Sequence, residues 1–181
     1  KELGKDVKQG AVVMALKRLS EELDFRINHK ISKVLKNIGE ITVRSSLVDY
    51  AFVVSETLLE NQARLISEVN KNKDLFYTSS RGVNESNIIV SSSISANVEE
   101  IFKNEKRTHR VDDLSSITVK LPQVNVTIPG VFYYIFQRLA WEGVIIHEVI
   151  STTNEFTVIV HDKQIDIAFK VIKDLKNTED F

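Results

Sequence analysis

The sequence predicts an α+β chain: a helical segment followed by two passes through one element order, namely strand, helix, strand, strand, helix, strand. Three observations carry this. Apolar residues recur every three or four positions in some stretches and every second position in others, which separates helices from half-buried strands. Glycines and short polar clusters fall where the spacing changes. The order that runs from residue 40 to residue 111 then starts again near residue 117.

From the start, Ala11, Val12, Ala15, Leu16 and Leu19 share one helical face, with Lys17, Arg18, Glu21 and Glu22 elsewhere. Ile27, Ile31, Val34, Leu35 and Ile38 mark a second helix, which Gly39 ends. The run from Glu40 to Ser55 is rich in β-branched and aromatic residues and alternates early, at Ile41, Val43 and Ser45, so it reads as extended strand. The next helix places Leu58, Leu59, Gln62, Leu65, Ile66 and Val69 on one side. Leu75 to Ser80 and Asn87 to Ser93 form a hairpin about the turn Arg81-Gly82-Val83-Asn84. Ser95 is the expected N-cap of a short helix through Val98, Ile101 and Phe102, and Thr108 to Val111 is a further strand.

In the second pass Ile117, Val119 and Leu121 alternate as one strand face, and a loop from Pro122 to Pro129 leads to Gly130. The helix that follows carries Phe132, Ile135, Phe136 and Leu139 and stops at Gly143. Val144 to Ser151 and Phe156 to His161 are strands about the turn Thr152-Thr153-Asn154-Glu155. A last helix turns Ile165, Ala168, Val171, Ile172 and Leu175 inward.

Each pass corresponds to a ferredoxin-like unit, an antiparallel sheet with both helices on one face. The expected organisation is a helical segment over residues 1–39, one unit over 40–113 and a second over 114–181. The second pass lacks its last strand, because Asn177 to Phe181 is short and polar. An open sheet edge invites association, so either the long run from Glu40 to Ser55 or a second copy of the chain should cover it.

Composition narrows the function. A chain of 181 residues, 43% hydrophobic and 27% charged, can bury a core without metals or disulfides. Lys and Arg number 24 against 25 Asp and Glu, so no overall field draws in nucleic acid or anionic lipid. The absence of cysteine removes thiol nucleophiles, disulfides and sulfur-ligated zinc, and is compatible with the cytoplasm. No stretch approaches the ~18 apolar residues of a membrane helix, and no signal-peptide pattern precedes the first helix. Because Lys1 stands where a methionine would begin a whole protein, the expectation is a segment of a longer one.

The run Ser116-Ile-Thr-Val-Lys-Leu, a loop, Ile128-Pro-Gly-Val-Phe, a helix, Trp141-Glu-Gly-Val-Ile-Ile, a hairpin and Glu155-Phe-Thr-Val-Ile-Val resembles an ACT domain. It is most similar to the regulatory half of aspartate kinases. The resemblance covers residues 114–176 by motif and residues 40–113 by topology. It implies paired units that dimerise side by side and bind an amino acid at the loop before the first helix, with no catalytic role and no cofactor. One departure stands out: Gly143 is followed by Val144, Ile145 and Ile146, where such domains often carry an asparagine, which leaves the ligand open.

The residues point to the same loop independently. At Pro129-Gly130 a loop enters a helix whose first N–H groups have no intrahelical partner and whose dipole favours an anion. Glycine lets a carboxylate approach the backbone, although Pro-Gly can also do no more than shape the turn. The expected ligand-binding residues are Asn125, Thr127, Ile128, Pro129, Gly130 and Val131, with Ile146, His147 and Glu148 contributed by a neighbouring unit.

Other chemistry finds little support. The pairs His147-Glu148 and His161-Asp162 look like metal or acid–base fragments, but neighbours on a strand face opposite ways, so His147 and Glu148 should diverge. Asp162 reads more simply as a helix-start residue. Ser91-Ser92-Ser93 lies on a strand and lacks the Gly-x-Ser-x-Gly elbow of a hydrolase. Lys103, Lys106, Arg107, His109 and Arg110 read as a solvated turn rather than a nucleic-acid patch. Tyr133, Tyr134 and Trp141 divide between core and a dimer contact. The expectation is therefore a non-enzymatic, homodimeric, cytoplasmic sensor of a small ligand. A regulatory subunit or fragment of aspartate kinase, or a DNA-binding regulator with its reading head outside residues 1–181, are the alternatives.

Overall fold

A computed structural model describes residues 9–177, apart from the side chains of residues 9, 11 and 19–28. Expectations resting on the side chains of Ala11, Leu19, Glu21, Glu22 and Ile27, or on residues 178–181, lie outside that description. The elements are α1 (Gln9–Lys36), β1 (Ile41–Val53), α2 (Leu58–Val69), β2 (Tyr77–Arg81), β3 (Glu85–Ser91), α3 (Ser95–Ile101), β4 (Arg107–Lys120), α4 (Val131–Trp141), β5 (Ile146–Ser151), β6 (Glu155–His161) and α5 (Ile165–Asp174).

Three features differ from the sequence reading. The two N-terminal helices are one, α1, because no glycine or proline interrupts residues 11–36. The strands expected near Thr108 and Ile117 are one long strand, β4. Ser91 ends β3 and Ser92–Ile94 form a 3-10 turn, so Ser95 is the first residue of α3 rather than its cap, and its hydroxyl is buried without a partner.

All six strands lie in one antiparallel sheet, ordered β2-β3-β1-β4-β6-β5, where two sheets were expected. The central strands β1 and β4 tie it together. Residues 47–53 of β1 pair with β3, whereas residues 41–44 run beside residues 116–119 of β4, whose other edge holds β6. At the middle of this pair each strand carries one extra residue. Arg44 lies opposite Ser116 and Leu47 opposite Leu114, which leaves an additional residue on β1; Asp49 lies opposite Val111, which leaves one on β4.

Side-chain alternation places Leu47 and Leu114 on one face, packed with Ile89 and Ile159. Their neighbours Val48 and Ser115 point to the other face, and that is where the helices lie. Val48, Tyr50, Phe52, Ile88 and Val90 meet Leu58 and Leu65 of α2 and Val98 of α3. Ile117, Val119, Phe156, Val158 and Val160 meet α1 through Ile31, Val34 and Leu35, α4 through Ile135 and Leu139, and α5 through Ala168 and Ile172. Each fully buried aliphatic side chain contributes roughly 1.5–3 kcal/mol, so these two clusters dominate the fold's stability.

The helix-free face is concave. His147 of β5 reaches across β6 and β4 to Asp49 of β1 at 2.8 Å, and Glu148 of β5 approaches Asn87 of β3 at 3.5 Å. Such contacts between strands that are not neighbours require the sheet to curl. Among the described residues no helix is long and apolar enough to cross a membrane.

Candidate ligand-binding loop

The loop between β4 and α4 is built by its own short-range bonds. Residues Gln123–Thr127 form a 3-10 turn, and the buried Asn125 donates its side-chain amide to the carbonyls of Pro122 (2.8 Å) and Thr153 (3.0 Å). The second bond ties the loop to the β5–β6 turn. Thr127 donates its hydroxyl to Val124 O at 2.9 Å, which closes the turn. Both hydroxyl and amide hydrogens therefore serve the loop itself, where contacts to a ligand were expected.

Gly130 is the N-cap of α4 and sits at φ 89°, in the left-handed region that side chains disfavour. A Cβ there would also stand 3.1 Å from Ile31 Cδ1. No side chain caps this helix, and no acidic residue occupies its first turn. Val131, Phe132 and Tyr133, the first residues of α4, whose N–H groups have no intrahelical partner, line a cavity of about 450 Å³ together with Asn125, Val126, Ile128, Pro129, Gly130, Ser151 and Thr152. No charged side chain lines it, so an entering carboxylate meets neutral donors and the positive end of the helix.

Asn125, Ile128, Pro129, Gly130 and Val131 come together around this cavity; Thr127 does not line it. Ile146, His147 and Glu148 lie at the far end of β5, whose near end supplies Ser151 instead. The sequence reading also missed how His147 and Glu148 point. An irregularity in β5 between Ile146 and Glu148 brings both onto the concave face, where regular alternation would have separated them. The partner of His147, Asp49, is 1% exposed and was not anticipated, although a lone carboxylate within Leu47-Val48-Asp49-Tyr50-Ala51-Phe52 was the available signal. His109 approaches the same Asp49 oxygen at 3.4 Å, and the other oxygen has no partner.

The equivalent corner of the first half, where β1 runs into α2, is arranged differently. Glu105 places its carboxylate there and accepts hydrogen bonds from Ser55 Oγ (2.6 Å), Thr57 Oγ1 (2.7 Å) and Asn61 Nδ2 (2.7 Å). Burial pushes its pKa up, but the three hydrogen bonds together outweigh that and hold the carboxyl below the ordinary glutamate value. The basic cluster nearby is locally compensated: Arg107 and Arg110 bond Glu99 at 2.6 and 3.1 Å. Among the described residues no three His, Asp or Glu side chains converge to hold a metal ion.

No protein-family model and no curated sequence matches the chain. Solved structures do. The regulatory subunit of aspartate kinase from Thermus thermophilus, in its ligand-free form, superposes with a TM-score of 0.61 at 9% identity, over 76% of this chain and 97% of that one. The fold is that of an aspartate kinase regulatory region. The Clostridium acetobutylicum aspartate kinase gives a TM-score of 0.63 at 15% identity, over 77% of this chain and 35% of the enzyme. Aspartokinase III of E. coli, in complex with lysine and aspartate, gives 0.55 at 9% identity, over 77% of this chain and 32% of that one. At such identities the likeness is one of fold. It agrees with the ACT-type resemblance of the second half.

Proposed function

We propose that this chain is a non-catalytic regulatory protein that binds a small carboxylate ligand, an amino acid, at the entrance of α4. The observation that carries the reading is the open cavity at an uncapped helix N-terminus, entered through a glycine whose left-handed conformation turns the loop into the helix. The ligand carboxylate takes the N–H groups of Val131, Phe132 and Tyr133, and Ser151 and Thr152 face it from the opposite wall. In this reading the chain consists of two ACT-type units, residues 40–113 and 114–181, the first of which lends residues 41–44 as an edge strand to the second. A homodimer completes the arrangement, and only from a second chain do Ile146, His147 and Glu148 reach the ligand. Regulation follows if the ligand favours one arrangement of the pair over another.

The test is thermal unfolding against a panel of free amino acids. A ligand at a hundred times its dissociation constant adds about 2.7 kcal/mol to stability. One amino acid is expected to raise the midpoint, and two variants, Gly130→Glu and the cavity-filling Val126→Trp, are expected to abolish the rise measured from their own baselines. No shift with any amino acid, or an undiminished shift in both variants, overturns the reading.

A second reading, a regulatory subunit of aspartate kinase, is favoured by length, since the Thermus thermophilus regulatory subunit is covered over 97% of its chain. Copurification with a separate kinase polypeptide tests it.

A further inference from the structure

We propose that the concave face of the sheet holds a second site, which takes the protonated amine of a small molecule. The two end strands of the sheet, β2 and β5, approach each other across that face and bound a cavity of about 190 Å³. Register decides which side chains enter it. Thr78 lies opposite Ile89 and Ser80 opposite Asn87, while Glu148 lies opposite Ile159 and Ile150 opposite Thr157. Because Ile89 and Ile159 face the concave side, all of these do.

The walls are therefore the Thr78 and Ser80 hydroxyls on one side and the Glu148 carboxylate on the other, with the Asn87 amide between them over an apolar floor of Ile89 and Ile150. Glu148 is the one charged residue lining the cavity. It is half-buried, has no Lys or Arg partner among the described residues, and its contacts are a long 3.5 Å approach to Asn87 Nδ2 and a 3.1 Å bond from the N–H of Val149. A partly buried carboxylate without a cation is costly, and an ammonium group entering the cavity would relieve that cost. An ammonium also brings three donors, which Glu148, the Asn87 carbonyl oxygen and either hydroxyl can accept. Neither the Thr78 nor the Ser80 hydroxyl bonds another described residue. Asp49 adds to the negative field: it pairs with Ile89 in the β1–β3 register, and its second oxygen is buried without a partner.

A cavity of about 190 Å³ holds roughly six waters at ~30 Å³ each, which matches a small amine. The site is separate from the α4 cavity, although Ser151 lines both. The two also ask for opposite charges.

Propylammonium chloride is the probe, titrated into the 15N-labelled chain, with propanol as neutral isostere and sodium chloride as ionic-strength control. The expected result is saturable shifts of backbone signals in residues 78–80, 87–89 and 148–151, absent with both controls. Glu148→Gln and the cavity-filling Ser80→Leu should each weaken binding at least tenfold, and Val126→Trp should leave it unchanged. Unsaturable or dispersed shifts, an equal response to propanol, or undiminished binding in both variants would overturn the proposal. Loss of binding in Val126→Trp would instead place the amine in the α4 cavity and overturn it as well.

Discussion

Leu47 and Leu114 face each other at the centre of the sheet, each beside a residue in the left-handed conformation, Ser46 at φ 59° and Asp113 at φ 57°. Around this pair the arrangement is close to symmetric, with an extra residue on β1 on one side and on β4 on the other; a further extra residue on β4 lies toward its start, between His109 and Arg107. Each insertion shifts the alternation by one, and the two together keep both helix layers on one face. The join between the halves of the chain is thus a pair of strained residues around a buried apolar contact.

That geometry makes Ser46 and Asp113 sites where glycine is better tolerated than the native residue. A left-handed L-residue costs roughly 1–2 kcal/mol, part of which glycine returns as unfolded-state entropy. Ser46→Gly is expected to be neutral or to stabilise by up to about 1 kcal/mol, whereas the β-branched Ser46→Val destabilises by about 1–2 kcal/mol. Urea unfolding of both variants checks the sign; a Val variant as stable as the native chain would refute the strain.

Gly130 and Gly143 form a matched pair for separating strain from crowding. Both have positive φ, 89° and 71°, but a Cβ at Gly130 meets Ile31 whereas one at Gly143 meets nothing. Gly143→Ala is expected to cost about 1 kcal/mol from conformation alone, and Gly130→Ala more, by about another 1 kcal/mol, unless Ile31 moves. Equal losses in chemical denaturation would show that Ile31 yields freely.

Glu105 links stability to acid pH. Its folded pKa lies below the unfolded value, so its contribution is fully present above the ordinary carboxylate range and is lost as pH falls through the folded pKa. Glu105→Gln is expected to destabilise the chain at pH 7 by about 1–3 kcal/mol, since Ser55, Thr57 and Asn61 lose a charged acceptor. The difference between the two proteins should shrink once the native carboxyl is protonated. Denaturant midpoints measured from pH 7 to pH 3 would show this convergence, and parallel curves would exclude it.

His147 and Asp49 should be energetically coupled. Removing the imidazole leaves a carboxylate 1% exposed with only His109, at 3.4 Å, on the same oxygen. His147→Ala is expected to cost about 1–3 kcal/mol, and the same substitution in an Asp49→Asn background distinctly less. A double-mutant cycle with no interaction energy would mean that the contact between β5 and β1 contributes nothing to the curl.

Periodicity was enough to find most of these elements, because each buries one face and the spacing of apolar residues records which. Leu58, Leu65 and Val98 in the first half, and Ile135, Leu139, Ala168 and Ile172 in the second, all reach the core as their spacing implies. The junction of loop and helix at Gly130 was also legible, since a glycine there is a local signal. Asp49, Asn87 and Ser151 were not, because each acquires its role from a residue at least fifty positions away or from a neighbouring loop.

What the sequence by itself determined is therefore local: most of the helices and strands, the order in which they repeat, and the loop-to-helix junction at Gly130. Tertiary structure alone decided that β1 and β4 merge the strands into one sheet, that a bulge at His147 turns two polar residues to the same side, and that Glu105 closes one helix entrance while the other stays open. The physical reason is that strand pairing and curl depend on register between distant segments. A single inserted residue, invisible in composition and spacing, changes which face a side chain occupies.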